Sequence, residues 1–141
     1  IQRIIVNLQN KLRANTLLIE MLKCKIHRAS VTEANLDYVG SLTLDANLME
    51  AVGLQEFEKI QVLDITNGSR LETYVIRGKK GSGQVCINGA AAHLINEEDL
   101  VIIVSYCQLL NEESQYHQPK IVYVDAANRV LSTSTRRHTL V

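Results

Sequence analysis

Residues 59–77 read KIQVLDITNGSRLETYVIR, and their pattern decides the class of fold. Apolar and polar residues alternate from Lys59 to Thr66, the period-two signature of a strand with one buried face. Asn67-Gly68 supplies the positive-φ chemistry of a tight turn, and residues 71–77 form the returning strand, so the stretch predicts a hairpin with a slightly long loop. Working outward, residues 22–27 place Leu22, Cys24 and Ile26 on one face and Lys23, Lys25 and His27 on the other. Residues 84–88, 100–108 and 121–125, rich in Val and Ile, read as further strands. Helical signals are few. Asp45 is a good N-cap, Leu48, Met49 and Val52 form an apolar stripe, and Gly53 can close the turn in the left-handed conformation. A second short helical turn is expected over residues 89–94, GAAAHL. About six strands with two short helices predict a mainly β fold, a small closed barrel or tightly coiled sheet, because closure removes edges that a proline-poor chain leaves unprotected.

The chain has 141 residues, which favours one domain. Hydrophobic residues make up 46% and charged residues 21%, enough for a core and against disorder. Fifteen Lys plus Arg offset fifteen Asp plus Glu, so no global field draws the chain to nucleic acid or an anionic membrane. Aromatics are 4%, leaving little for base stacking. Cys24, Cys86 and Cys107 are an odd number with no CxxC pair, which argues against a disulfide framework or zinc site and for a reducing, cytoplasmic setting. No apolar run approaches the roughly 20 residues of a membrane-spanning helix; the longest, Leu100 to Val104, is strand-sized.

Residues 1–20 differ in character from the rest of the chain. Ile1, Ile4, Ile5, Leu8 and Leu12 fall at helical spacing among few charges, yet no targeting signature accompanies them, so the segment is expected to be an extension outside the fold. Residues 21–141 are expected to form the single domain.

Stock catalytic and nucleotide motifs are absent. The stretch 78–83, GKKGSG, looks like a phosphate cradle but links two predicted strands, and a flexible turn is the better reading. His93 and His117 have no partner at metal-ligand spacing, His138 lies in a polar tail, and no metal site is expected. The distinctive segment is 35–45, NLDYVGSLTLD. Gly40 permits a strained backbone, and a turn there leads directly into another strand. A Ser41 hydroxyl held against the preceding carbonyl can attack it, moving the acyl group from nitrogen to oxygen and leaving an ester that can eliminate. Self-cleavage is then chemically accessible.

Five motifs occur in order: Lys25-Ile26-His27-Arg28, Tyr38-Val39-Gly40-Ser41, Thr66-Asn67-Gly68 followed by Arg70, Thr73-Tyr74, and Asn88-Gly89-Ala90-Ala91-Ala92. Together they resemble the pyruvoyl-dependent aspartate 1-decarboxylases, over residues 21 to about 125. The resemblance implies a six-stranded double-psi β-barrel that assembles as a homotetramer, cuts itself between Gly40 and Ser41, and converts L-aspartate to β-alanine and carbon dioxide for pantothenate synthesis. It implies a β chain ending at Gly40, an α chain beginning at Ser41, and a covalent pyruvoyl group derived from Ser41 that serves as the Schiff-base cofactor; it also allows for a maturation factor.

By the same resemblance Thr73 assists processing and touches substrate, and Tyr74 is the proton donor after decarboxylation. Arg70 and Lys25 hold carboxylates, while His27, Tyr38, Asn88, Gly89, Ala90 and Ala91 line the substrate site. Arginine suits a planar carboxylate clamp and lysine adds a compact charge. Two features stand apart. Strand alternation puts Thr73 and Tyr74 on opposite faces, so a shared pocket needs a twist or bulge. Leu63 occupies a position where some members of the family carry a large aromatic residue. The rival reading is a non-enzymatic double-psi barrel serving as an interaction module, with Gly40-Ser41 an ordinary turn.

Overall fold

The computed structural model describes residues 1–134, with residues 13–15 described by their backbone only; His138 lies outside the described residues. A helix, α1 (Gln2–Thr16), precedes β1 (Leu18–Ser30), β2 (Glu33–Asn35) and β3 (Ser41–Asp45). Then come α2 (Ala46–Val52), β4 (Lys59–Asp64), β5 (Arg70–Gly78), β6 (Val85–Asn88) and a 3₁₀ turn (Gly89–His93). The chain continues through β7 (Leu100–Leu110), α3 (Asn111–Ser114), β8 (Lys120–Val124) and β9 (Val130–Ser134).

The expected hairpin is β4–β5, in antiparallel register from Lys59↔Tyr74 to Leu63↔Arg70. Its loop is wound by side chains. Asp64 Oδ1 accepts the N–H groups of Thr66 (2.8 Å) and Asn67 (3.2 Å), Asn67 Oδ1 accepts that of Ser69 (2.9 Å), and Gly68 supplies the left-handed residue at φ 79°. Asp45 caps α2 through the Asn47 N–H, and Gly53 ends it at φ 74°. The glycine-rich loop of residues 78–83 does cradle an anion, but the anion is internal. The N–H groups of Gly81 and Gly83 donate to the two oxygens of Asp45 at 2.9 and 2.8 Å, so the loop expected to be a flexible turn is fastened at two points.

The strands lie in the order β2-β6-β3-β5-β4-β7-β1-β8-β9. Parallel neighbours β3/β5 and β1/β8 are interleaved with antiparallel ones, and strands adjacent in space are mostly distant in sequence. Only Val31 and Thr32 separate β1 from β2, and Thr32 exchanges hydrogen bonds with the backbone of Val85 on β6. β1, seventh in this order, thus runs directly onto β2 at the far edge, and the sheet curls into a barrel. Inside it lie Ile26, Leu42, Leu44, Ile60, Val62, Val75, Val85, Ile87 and Ile103, closed at one end by Leu48, Met49 and Val52 of α2.

The fold is mainly β, as expected, with nine strands among the described residues in place of about six. The difference has local causes. β2 has three residues, too few to show alternation; β3 is buried at four of its five positions and so does not alternate; β9 is an edge strand exposed at its first four positions. The boundary at residue 20 also moves. β1 begins at Leu18, and Leu18, Ile19 and Glu20 pair with Leu110, Leu109 and Gln108. Before it, α1 exposes Ile4, Ile5, Leu8 and Leu12 to solvent and touches α3.

Candidate active site

The Gly40–Ser41 peptide sits where an exposed loop enters the barrel. Gly40 is exposed, whereas Ser41, the first residue of β3, is 1% exposed. Ser41 pairs with Asn88 across the antiparallel β3/β6 ladder, and Thr43 pairs with Cys86. These four side chains share one face, opposite the core residues Leu42, Leu44, Val85 and Ile87. Asn88 Nδ2 donates to Ser41 Oγ at 3.1 Å and to Thr43 Oγ1 at 2.9 Å, its Oδ1 accepts from Cys86 Sγ at 3.1 Å, and Ser41 Oγ donates to the Val39 carbonyl at 3.4 Å.

Gly89 follows Asn88 at φ 69°. A Cβ there would lie 2.6 Å from Gly40 Cα, 2.8 Å from Gly40 N and 3.0 Å from the Tyr38 carbonyl oxygen. The backbone around the candidate scissile bond is therefore seated in a hollow that any side chain at position 89 would fill. A small planar group on residue 41 suits this cradle, which holds one amide donor and no bulk over the preceding residue.

Beside it opens a pocket of 380 Å³ lined by Gly40, Asn88, Ala90 and Ala91, by Thr73 and Tyr74, and by Leu71, Glu72 and Leu94. The conflict between Thr73 and Tyr74 is resolved without a bulge. β3 joins β5 only from Leu42↔Val75 onward, so residues 71–73 of β5 have no partner strand on the β3 side. A hollow at the open edge of a strand is lined from both of its faces. Glu72 brings a carboxylate to this rim, held below its usual range by Lys59 at 3.0 Å and by Gln61 at 3.3 Å.

The remaining expected residues lie elsewhere. Arg70 is on the same face of β5 as Tyr74, about 13 Å along the strand, and lines an adjoining pocket that shares Leu71 and Glu72 with the first. Lys25 is connected to that face by register: Glu72 pairs with Gln61, Gln61 with Val104, and Val104 with Lys25. It is half-buried, and burial lowers its pKa. His27, two residues on, packs its ring edge-to-face on Tyr123 with centroids 5.6 Å apart. From β3 to β1 is four steps in the sheet order, through β5, β4 and β7, and neither Lys25 nor His27 lines the pocket beside Gly40. Tyr38 is 66% exposed and does not line the pocket, while its carbonyl packs on Gly89.

Two contacts of the site escape the sequence pattern. Thr43 looks like an ordinary strand residue and Cys86 like a free cysteine; the signal that finds them is their i, i+2 spacing from Ser41 and to Asn88, which puts all four on one face once β3 and β6 are paired.

A pocket of this size, bordered by Gly40 next to a buried serine and edged by a tyrosine, has the dimensions of a small-molecule site. The aspartate decarboxylase family model matches residues 17–131. Aspartate 1-decarboxylase of Caldicellulosiruptor saccharolyticus is 58% identical over 120 residues, 85% of this chain and 94% of that protein. The enzyme of the same name from Corynebacterium efficiens is 62% identical over 112 residues, 79% and 82% of the two chains, and that of Clostridium kluyveri 53% identical over 121 residues, 85% and 95%. The chain belongs to the aspartate decarboxylase family, which sets aside the interaction-module reading. A computationally designed protein, msDPBB_sym2, covers 62% of this chain and 96% of its own at 16% identity and a TM-score of 0.37, a distance at which the likeness adds nothing to the strand topology.

Proposed function

We propose that this chain decarboxylates L-aspartate to β-alanine, supplying pantothenate biosynthesis in the cytoplasm, after it has cut itself between Gly40 and Ser41 and turned Ser41 into a pyruvoyl group. In the cut, Ser41 Oγ bonds to the Gly40 carbonyl carbon as the Gly40 C–N bond breaks, and the hydroxyl proton ends on the Ser41 nitrogen. Elimination then frees the Gly40 carboxylate, and water replaces the nitrogen, which leaves as ammonia. The observation that supports this reading is the seat of the bond: a buried serine hydroxyl, bonded by Asn88 and preceded by a glycine packed on Gly89.

A pyruvoyl group supplies a ketone conjugated to an amide, an electron sink for the pair left when carbon dioxide departs. The protein supplies the rest. Thr73, which lines the pocket together with Gly40, hydrogen-bonds the Gly40 carbonyl oxygen as charge develops on it in this reading. Tyr74 holds a phenolic proton for the carbon that loses its carboxylate. Asn88, Gly89, Ala90 and Ala91 form a small floor, and Arg70 clamps the retained carboxylate, which excludes amines lacking one because they leave its charge unpaired. Lys25 and His27 join the site from a second copy of the chain in a homotetramer, a reading supported by the three strands, β5, β4 and β7, that lie between β3 and β1 in the sheet order.

The deciding experiment replaces Ser41 by alanine. Ser41→Ala protein should run as one band and release no carbon dioxide from aspartate, whereas the unaltered chain should give two fragments parting at residues 40 and 41, the larger without a free amino terminus. Decarboxylation by Ser41→Ala would overturn the proposal.

A further inference from the structure

An asparagine amide is an oxygen on one side and an NH₂ on the other, and only its partners decide which way it faces. Asn88 is 3% exposed, and its partners are unequal. Its oxygen takes the Cys86 S–H at 3.1 Å, one N–H goes to Thr43 Oγ1 at 2.9 Å, and the second reaches Ser41 Oγ at 3.1 Å. With the amide so held, a lone pair of Ser41 Oγ is occupied by Asn88 and its proton is directed to the Val39 carbonyl. If the amide turned over, its oxygen would face the hydroxyl and draw that proton to itself, swinging the lone pairs away from the backbone.

We propose that Cys86 and Thr43 are positioning residues for self-processing: the thiol anchors the Asn88 oxygen and the threonine hydroxyl takes one N–H, so the other N–H fixes the orientation in which Ser41 Oγ bonds to the Gly40 carbonyl carbon. The bonds made and broken are those of the acyl shift from the Ser41 nitrogen to its oxygen, and the inference rests on that reading of the Gly40–Ser41 bond. Two further observations support it. The register places the four groups as two facing pairs, Ser41↔Asn88 and Thr43↔Cys86, so their contacts are fixed by backbone pairing rather than by long, mobile side chains. Burial, and the carboxylate of Glu33, which faces Cys86 across β2/β6 and is a second acceptor for its S–H beside the Asn88 oxygen, push the thiol up to about 11, so it keeps its proton across the neutral range. The same burial makes Cys86 a poor nucleophile, which leaves anchoring as its chemistry.

The test measures conversion of purified precursor into two fragments, with the melting temperature of each precursor recorded alongside. Cys86→Ala should slow conversion by roughly three- to tenfold, the worth of one hydrogen bond, and Cys86→Ser, which restores a donor, should recover most of the rate. Thr43→Val, equal in shape but without the oxygen, should slow conversion in the same way, with Thr43→Ser restoring it. If Cys86→Ala does not fold, the Thr43 pair decides alone. Wild-type rates in Cys86→Ala and Thr43→Val, serine variants as slow as the deletions, or rates that track melting temperature instead of hydrogen-bonding capacity each overturn the proposal. An unaltered chain that never cleaves overturns the self-processing reading itself, and the positioning role with it; a chain that cleaves with no dependence on Cys86 or Thr43 overturns the positioning role alone.

Discussion

Gly89 carries the sharpest demand of any single residue in the site. Its φ of 69° strains any L side chain, and a methyl there would stand 2.6 Å from Gly40 Cα, against backbone that cannot rotate aside. Gly89→Ala is therefore expected to shift the Gly40 backbone relative to Asn88 and the Ser41 hydroxyl, adding about 1–3 kcal/mol of strain. Conversion to two fragments should be slowed severely while the precursor still folds with a lowered melting temperature; cleavage at the wild-type rate would show that the seat is irrelevant. The sequence marks Gly89 through its motif, yet nothing in the local pattern reveals that it packs on residue 40, because that contact joins positions far apart in the chain. Cys86 and Thr43 escape for a related reason. Each is unremarkable alone, and only the β3/β6 pairing makes them neighbours of Asn88.

At the scale of elements, two buried aspartates hold loops and respond to acid with opposite sign. Asp45 joins the N-terminus of α2 to the 78–83 loop. Burial alone would raise its pKa, but the N–H groups of Gly83, Asn47 and Gly81 outweigh that and hold the carboxyl below its ordinary 3.8. A depressed pKa contributes stability above 3.8 that is lost as pH falls through the folded value. Asp45→Ala should accordingly cost about 2 kcal/mol at neutral pH, as a lost cap with orphaned loop donors does, and the gap from wild type should narrow on acidification below 3.8 in denaturant melts. Asp64, at the end of β4, behaves in reverse. Its pKa is raised by burial and by the neighbouring Asp99 carboxyl, so the folded state binds its proton more tightly and stability falls as pH climbs from 3.8 through the raised value. Asp64→Asn keeps the oxygen that winds the hairpin loop and removes the charge. It should melt at a higher temperature than wild type at pH 7 and lose that advantage in acid; a lower melting temperature at pH 7 would contradict the sign. The caps and the hairpin are legible because Asp45, Gly53 and Asn67-Gly68 act locally. β2, β3 and β9 are not, because strands that are very short, buried on both faces or exposed along most of their length carry no alternation to read.

For the whole molecule, zero net charge conceals an uneven placement of cations. Lys25 and Arg70 lie on the outer face of the barrel, and register carries that face from β1 through β7 and β4 to β5, the strand that bears Tyr74. The sequence supplies these residues by resemblance, but one-dimensional order says nothing about how many strands separate them. The sheet order does: β3 and β1 are four places apart, on the outside of a curled sheet where side chains splay from one another. In the arrangement proposed above, a lysine on β1 and residue 41 on β3 meet around one small dianion by coming from different copies of the chain. This arrangement predicts complementation. Lys25→Ala and Tyr74→Phe chains, each expected to be nearly inactive alone, should regain activity when co-expressed and assembled together, because sites that combine an intact β1 from one copy with an intact β5 from another are whole. Random mixing leaves about a quarter of the sites intact in a closed symmetric assembly, so activity per site should approach that fraction of wild type. Activity that stays at the level of the separate variants, in particles verified to contain both chains, would place Lys25 and Tyr74 in the site of the same copy and overturn the shared-site arrangement.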